Sequence, residues 1–302
     1  MNIEEILKNI EFKIGPHINY RKAYFFRLKK FFHKIFKREK HFIFDNCKIK
    51  NIKENIFLKN SLLEIDSMST YAIGFLINQI CKNLSKDQIY LNIGCWKGFS
   101  LVAGMIDTKC NVIGIDNFSQ FDGPKKEFYL NFEKHKKLNH SFYEKNYKLF
   151  FKNFDKKISF YFYDGEHSYQ NQFDNLQIVD QFLDSNSIIL IDDYNFSDVE
   201  NATKNFVDKS KNNYSIIKEI KTFNNHCHPT YWNGIAILKK NKFNFFKTNI
   251  YRQDKILIPR QFHKVCIAFY FLLILVTFKL AVLFILSIVL LISIITTLFI
   301  GP

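Results

Sequence analysis

Short apolar runs alternate with longer stretches of helical periodicity through the middle of the chain. This alternation is typical of consecutive βαβ units and predicts an α/β fold built on a mainly parallel sheet. The last two apolar runs have no long helical stretch between them, so they predict a terminal antiparallel hairpin. The strand-like runs are residues 88–93, 111–115, 141–146, 158–164, 187–193, 214–220 and 233–240.

The end of the chain has a different pattern. Lys279 is the only charged residue between positions 265 and 300, and residues 280–300 form an uninterrupted apolar run. A helix of that length spans about 30 Å, the thickness of a bilayer's hydrocarbon core. We therefore predict a membrane anchor over residues 265–302, with one span at about 280–300. A helical hairpin over the whole anchor is the alternative.

Basic residues precede this apolar region, while only Gly301 and Pro302 follow it. By the positive-inside rule, a basic linker over residues 241–264 predicts that the preceding domain lies on the cytoplasmic side of a membrane. No basic and then apolar signal-peptide pattern opens the chain. The six cysteines are scattered without a C-x-x-C pair, which indicates a reducing compartment.

Residues 21–41 form the clearest basic cluster. Their apolar side chains fall on one face of a helix, and most of their basic side chains lie away from it. Three interpretations remain open for this amphipathic helix: contact with lipid headgroups, contact with RNA, and packing on the domain with a solvated basic face. The apolar positions are Tyr24, Leu28, Phe31, Phe32 and Ile35.

Length and charge bound the organisation. A chain of 302 residues accommodates one α/β domain with appended segments. Its net charge of +15 suggests an anionic partner, although Lys, Asn, Ile and Phe are abundant throughout and weaken that inference. We divide the chain into a basic amphipathic N-terminal region (1–60), a globular domain (61–240), the basic linker and the anchor.

The most informative local motif is residues 91–100, LNIGCWKGFS, between a strand-like run and a helix-like run. Gly94 and Gly98 permit a tight turn and the close approach of a ligand, and the helix that follows offers unpaired N–H groups. A dinucleotide fingerprint would need a third glycine, which is absent. The second strand ends in Asp116, whose carboxylate can accept hydrogen bonds from ribose hydroxyls.

Together, these two segments resemble motif I and the second-strand acid of class I S-adenosylmethionine-dependent methyltransferases. That resemblance implies a Rossmann-like sheet of seven strands and S-adenosylmethionine as the cofactor. One departure concerns Asn92, because many members of the family carry an acid there. Asparagine forms hydrogen bonds but neutralises no positive charge. The cofactor-binding residues that the resemblance implies are Asn92, Gly94, Gly98, Ser100 and Asp116.

Two later strands end in acidic residues. Asp164 opens the segment DGEHSY, and Asp192 and Asp193 lie in LIDDYN. If these strands are neighbours, the three carboxylates converge at one edge of the sheet and repel each other unless a cation or protons neutralise them. A hard divalent cation such as Mg²⁺ would relieve the repulsion and lower the pKa of a bound hydroxyl.

The same segments are similar to the D-G-x-H-x-Y and D-D pattern of small O-methyltransferases of the macrocin and cephalosporin-cluster type. The similarity implies Asp164, Asp192 and Asp193 as cation ligands, with Glu166 or His167 beside the transferred proton. Each residue also has an ordinary structural interpretation: an aspartate before glycine is common in turns, and His167 can simply tie its loop by hydrogen bonds.

The pattern as a whole favours a membrane-anchored O-methyltransferase that acts on a hydroxyl of a small molecule or glycan, with membrane lipids as a second partner. Nucleic acid is the less favoured partner. Two alternatives remain open. One is an RNA methyltransferase that uses the basic helix, and the other is a non-catalytic binding protein that retains the fold.

Overall fold

A computed structural model describes residues 2–19, 38–210, 213–223 and 227–241. Helices and strands alternate along these ranges, as the sequence predicts. The helices are α1 (Ile3–Lys8), α2 (Arg38–Asp45), α3 (Ile56–Glu64), α4 (Tyr71–Lys82), α5 (Phe99–Met105), α6 (Lys125–His135), α7 (Tyr147–Phe151), α8 (Tyr169–Asp180) and α9 (Ser197–Lys209). The strands are β1 (Ile10–Phe12), β2 (Cys47–Ile49), β3 (Ile89–Ile93), β4 (Asn111–Asp116), β5 (His140–Glu144), β6 (Ile158–Tyr163), β7 (Leu183–Ile191), β8 (Tyr214–Ile220) and β9 (Ile235–Lys240).

The main sheet has seven strands in the order β5-β4-β3-β6-β7-β9-β8. The first five are parallel, and β9 pairs antiparallel with both β7 and β8. This arrangement confirms the predicted Rossmann-like sheet and its terminal hairpin. The chain proceeds from β3 outward to β4 and β5, and then returns to β6 on the other side of β3. A crevice therefore forms at the carboxyl ends of β3 and β6, where such sheets bind ligands.

Strands β3 and β6 are buried on both faces, which explains their continuous apolar sequences. Alternate side chains separate into two hydrophobic clusters. Tyr90 and Phe160 lie on one face, with stacked rings 4.7 Å apart. Leu91 and Tyr161 lie on the other face. The crevice therefore rests on strands that are fixed from both sides.

The described part of the N-terminal region packs on the first of these clusters. β1 and β2 form a small antiparallel sheet, and side chains of α1, α2 and α3 are buried together with those of α4. The predicted boundary at residue 60 falls inside α3. Residues 2–19 and 38–60 thus share a hydrophobic core with the predicted globular domain.

No helix within the described ranges is long and apolar enough to cross a membrane. The predicted anchor, residues 265–302, lies outside those ranges, as does the predicted linker beyond residue 241. Most of the basic amphipathic cluster, residues 20–37, also lies outside them. These three predictions stay predictions.

His140 makes the stability of the fold depend on pH. It is buried at the start of β5, and its Nδ1 accepts a hydrogen bond from the Lys137 backbone N–H at 3.0 Å. Burial, with the nearby Lys137 charge, lowers the pKa of His140 from 6.5 to about 4. The unfolded chain therefore binds the proton more tightly, so stability is lost as the pH falls from 6.5 towards 4.

We expect this titration to cost about 3 kcal/mol of unfolding free energy. His140→Asn keeps a side-chain acceptor near the Lys137 N–H but does not titrate in this range. Urea unfolding at pH 7 and pH 4 should show a smaller acid-induced loss for this variant than for the unmodified chain. His41→Asn, at an exposed position, is the control. An equal loss of unfolding free energy between pH 7 and pH 4 in all three proteins would contradict the role of His140.

Candidate functional site

The turn after β3 is built around glycines in conformations that other residues rarely adopt. Gly94 has φ +81° and Gly98 has φ +95°. A Cβ on Gly94 would overlap the carbonyl oxygen of Asp164, whereas a Cβ on Gly98 would meet only Phe128, at an ordinary 3.5 Å. Gly94 is therefore the position at which the turn and the end of β6 come into direct backbone contact.

Asp116 holds this turn in place from the end of β4. One carboxylate oxygen, Oδ2, accepts hydrogen bonds from the backbone N–H groups of Cys95 and Trp96, both at 2.8 Å. The other, Oδ1, accepts from the N–H of Phe118 at 2.7 Å. Each ionised oxygen has two acceptor sites, so the carboxylate retains capacity for a ligand. The structure therefore gives Asp116 a role in shaping the turn as well as a place beside the crevice.

Asn92 and Ser100 lie behind the turn. Asn92 is fully buried, and its Oδ1 accepts a hydrogen bond from Ser100 Oγ at 2.8 Å. Neither residue lines the crevice, and neither does Gly98, which caps α5. Asn92 alternates with Leu91 and Ile93 along β3, so its side chain points to the α5 face. Asn92, Gly98 and Ser100, which the sequence predicts as cofactor contacts, thus support the turn and do not line the crevice.

The crevice encloses about 240 Å³. Five of the predicted site residues line it: Gly94, Asp116, Asp164, Glu166 and His167. The turn residue Trp96, the loop after β4 and the residues that follow β5 and β6 complete its lining. The predicted site residues thus come from three different strand ends and meet in one cavity.

A polar cluster lies where β6 and β7 end. His167 Nε2 is 2.6 Å from Asp193 Oδ2 and 3.8 Å from Asp164 Oδ1. The ligand atoms of these three residues all lie within 4.8 Å of one another, as a metal site requires. Two carboxylates and one imidazole are donors that a divalent cation accepts.

Asp192 does not belong to this cluster, although the sequence groups it with Asp164 and Asp193. Its buried carboxylate turns back, and Oδ1 accepts the backbone N–H of Asp193 at 3.0 Å. Successive residues leave a strand end in different directions, and Asp193 has a left-handed backbone with φ +54°. Among the described residues, His167 therefore takes the place predicted for Asp192.

Burial and mutual repulsion shape the charges of the cluster. Burial lowers the pKa of His167, but the carboxylates of Asp164 and Asp193 outweigh it and raise that pKa from 6.5 to about 10. Burial also raises the pKa of Asp164, which His167 opposes. Burial raises the pKa of Asp192 well above its ordinary value, and the two neighbouring carboxylates add to this. At neutral pH, His167 is thus a cation held between two acids.

Sequence reasoning missed Asn171, which lies in the first turn of α8 and lines the crevice. Its Oδ1 accepts hydrogen bonds from the hydroxyls of Tyr163 and Tyr147, and its Nδ2 donates to Glu166 at 3.0 Å. Asn171 therefore fixes the carboxylate of Glu166 at the rim. Its spacing after Ser168, which caps α8, is the only sequence signal that could have pointed to it.

Residues 91–194 match the profile of a family described as a methyltransferase domain. The match runs from Leu91 in β3, just before the glycine turn, to Tyr194, the residue after Asp193. Over these residues the chain carries a methyltransferase domain. The macrocin-type subgroup is not confirmed. No curated protein matches the chain.

Solved structures of methyltransferases resemble the chain weakly over their whole length. An O-methyltransferase from Bacillus cereus in complex with SAH is 10% identical, and the alignment covers 64% of this chain and 94% of that one at a TM-score of 0.48. The O-methyltransferase TomG from Streptomyces achromogenes, in complex with SAM, is 8% identical, with coverage of 64% and 93% and a TM-score of 0.46. The identification of the methyltransferase domain rests on the family match.

The crevice suits the cofactor of such a domain. Gly94 lacks a Cβ and permits a close backbone approach, and the one remaining acceptor site of Asp116, on Oδ1, offers a partner for a ribose hydroxyl. Asp164 and His167 of the polar cluster line the same crevice, and the carbonyl of Asp164 lies directly against Gly94. The crevice therefore brings the glycine turn, Asp116 and two members of the polar cluster together.

Proposed function

We propose that this chain is a membrane-anchored O-methyltransferase that transfers a methyl group from S-adenosylmethionine to a hydroxyl of a small molecule or glycan. One observation supports oxygen as the atom that receives the methyl group. The cluster of Asp164, His167 and Asp193 adjoins the glycine turn, so charged groups flank the place where an acceptor would lie. A hydroxyl must lose its proton when it is methylated, and such groups assist that loss.

Bound S-adenosylmethionine supplies the electrophilic methyl group. The chain's own residues orient the acceptor, receive its proton and stabilise the charge that develops on its oxygen. His167 is protonated at neutral pH because of its two carboxylate neighbours, so it suits the stabilisation of an oxyanion. Glu166, on the rim and fixed by Asn171, suits proton acceptance. Alignment of the two reactants contributes most of the acceleration.

Cation assistance is a further part of the proposal. Asp164, Asp193 and His167 would hold a divalent ion such as Mg²⁺ or Mn²⁺, which would polarise the acceptor hydroxyl. His167 must lose its proton to serve as a ligand, so binding would be stronger at higher pH. A methyl-transfer assay with and without chelator tests this part. Equal rates would contradict it.

Membrane attachment rests on the sequence of the last forty residues. The apolar run at 280–300, preceded by the basic linker, supports an anchor with the catalytic domain on the cytoplasmic side. An anchor would concentrate the enzyme near a lipid-linked acceptor. Full-length protein should stay in the pellet when membranes are extracted with alkaline carbonate, and release into the supernatant would contradict the anchor.

Asp193→Ala tests the catalytic centre. We expect methyl transfer to fall about a hundredfold or more, because the variant removes the partner that orients His167. S-adenosylmethionine affinity should change by less than about threefold, since Asp193 is not among the residues that line the crevice. Calorimetry measures the affinity for S-adenosylmethionine. Methyl transfer is measured by incubating the protein with a cell extract and S-adenosylmethionine whose methyl group carries tritium, and by counting the tritium in base-stable products.

Asp184→Ala is the matched control. Asp184 lies at the start of β7, the strand that ends just before Asp192 and Asp193, and Ser159 donates a hydrogen bond to it at 3.0 Å. It should keep full transfer. If both variants lost activity equally, the role of Asp193 would be structural. If the unmodified protein did not bind S-adenosylmethionine, the enzyme proposal would fail and the non-catalytic alternative would hold.

A further inference from the structure

Asn233 reaches the catalytic cluster from a distant part of the chain. It lies between β8 and β9, outside the stretch that matches the methyltransferase family. Its Nδ2 donates a hydrogen bond to Asp193 Oδ1 at 2.7 Å, while Asp193 Oδ2 lies 2.6 Å from His167 Nε2. Each oxygen of one carboxylate therefore has its own partner.

We propose that Asn233 is a positioning residue of the active centre, which fixes the rotation of the Asp193 carboxylate so that Oδ2 faces His167. This inference rests on the proposed function, because it assigns Asn233 to the chemistry of that site. An ionised carboxylate only accepts hydrogen bonds, so the amide must present Nδ2 to it. The direction of the contact follows from this chemistry alone.

The loop that carries Asn233 is held rigidly against the end of β7. The backbone N–H of Asn195 donates to the carbonyl of Asn233 at 2.8 Å, and that of Tyr194 donates to the carbonyl of Gly234 at 3.1 Å. Gly234 has φ +84°, and a Cβ there would lie 2.5 Å from Asn195 Oδ1. The backbone at Asn233 is thereby fixed on the segment that follows Asp193.

Residues that precede β3 in the chain support the other end of this loop. Asn46 Nδ2 donates to the carbonyl of Pro229 at 3.1 Å, and the hydroxyl of Thr70 donates to the carbonyl of Thr230. The rings of Phe12 and Tyr231 pack edge to face at 5.2 Å. Residues 2–19 and 38–55 thus connect to Asp193 through the loop, which gives this region a role in shaping the site.

Burial makes the contact effective. Asn233 is only 8% exposed, so little water competes for Asp193 Oδ1. A hydrogen bond between an amide and a buried carboxylate is charge-assisted and roughly twice as strong as a neutral one. Without that donor, the carboxylate is free to rotate away from His167. Partners that orient catalytic or metal-binding groups in this way commonly change affinity 10- to 100-fold when removed.

Asn233→Leu removes the donor at nearly constant volume. The first measurement is the ¹⁵N-edited NMR spectrum of the His167 ring at pH 7, assigned by the signals that are lost in His167→Asn. We expect Asn233→Leu to shift or broaden these signals. The matched control is Asn78→Leu, which removes another buried amide; within the described ranges its Nδ2 donates to the carbonyls of Ala103 and Ile106. It should lower stability and leave the His167 signals in place.

Asn233→Asp replaces the leucine variant if that variant does not fold, because aspartate keeps the shape of the asparagine side chain and lacks its Nδ2 donor. The second measurement is Mn²⁺ binding, followed by water proton relaxation. Asn233→Leu should raise the Mn²⁺ dissociation constant about tenfold or more, with S-adenosylmethionine affinity unchanged.

The two failures are distinguishable. If the unmodified protein bound no Mn²⁺, the cation part of the proposed function would fail, while the NMR comparison would still test Asn233. If the His167 signals of both Asn233 variants coincided with those of the unmodified protein, the positioning role would be overturned.

Discussion

Gly94→Ala should unfold the domain or weaken it by at least about 4 kcal/mol. Two costs add at this position. The backbone has φ +81°, which alanine adopts at a cost of about 1–2 kcal/mol. The new Cβ would also overlap the carbonyl oxygen of Asp164, and backbone on both sides leaves little room to relax. Urea unfolding measures the loss.

Gly98→Ala separates these two costs. Gly98 has a similar positive φ of +95°, but its Cβ would meet only ordinary contacts, the nearest 3.5 Å away. We therefore expect a loss of about 1–2 kcal/mol there, from backbone strain alone. If Gly94→Ala were no worse than Gly98→Ala, the close approach between the turn and β6 would be wrong, and with it the geometry of the crevice.

The architecture of the sheet follows from patterns that are local in sequence. β3 and β6 are continuous apolar runs because both faces are buried, and each is followed by a helix that leads to the next parallel strand. Gly94 and Asp116 were also predictable, because a tight turn needs a residue free of Cβ and the acid ends a recognisable strand. Such signals depend on residues close to each other along the chain.

The direction of a side chain at a strand end is harder to infer. Asp192 and Asp193 are adjacent, and the sequence treats them alike. Only the left-handed backbone of Asp193 brings its carboxylate to His167, while Asp192 turns back to the backbone. Asn92 illustrates the same limit: its place in the motif suggested the cofactor, whereas the alternation of β3 directs it towards Ser100.

Contacts between distant segments leave no local signal at all. Asn233 is forty positions from Asp193, in the loop before β9, which runs antiparallel to β7. No periodicity or spacing connects them, since the order of β7, β9 and β8 in the sheet brings them together. The support of the β8–β9 loop by Asn46 has the same origin. Such residues complete the site, and only the three-dimensional arrangement reveals them.

Asp116→Asn should raise the dissociation constant of S-adenosylmethionine about a hundredfold and destabilise the domain by about 2–4 kcal/mol. Three backbone N–H groups point at the carboxylate: Cys95 and Trp96 at Oδ2, and Phe118 at Oδ1. An amide has one accepting oxygen, so its NH₂ group must face at least one of these donors. Each lost hydrogen bond to a charged group costs about 1.5–3 kcal/mol.

Glu144→Gln is the matched control for this change. Glu144 pairs with Asp116 across the two neighbouring strands, but its carboxylate forms an exposed ion pair with Lys125, with Nζ 2.7 Å from Oε2. Surface pairs of this kind contribute less than about 1 kcal/mol, so calorimetry and urea unfolding should both give nearly unmodified values.

A loss of affinity in Asp116→Asn with full stability would mean that the carboxylate serves the ribose alone. A loss of stability with full affinity would mean that the turn keeps its shape without the acid. We expect the combined loss because the three hydrogen bonds that hold the turn would also position the residues that contact the cofactor.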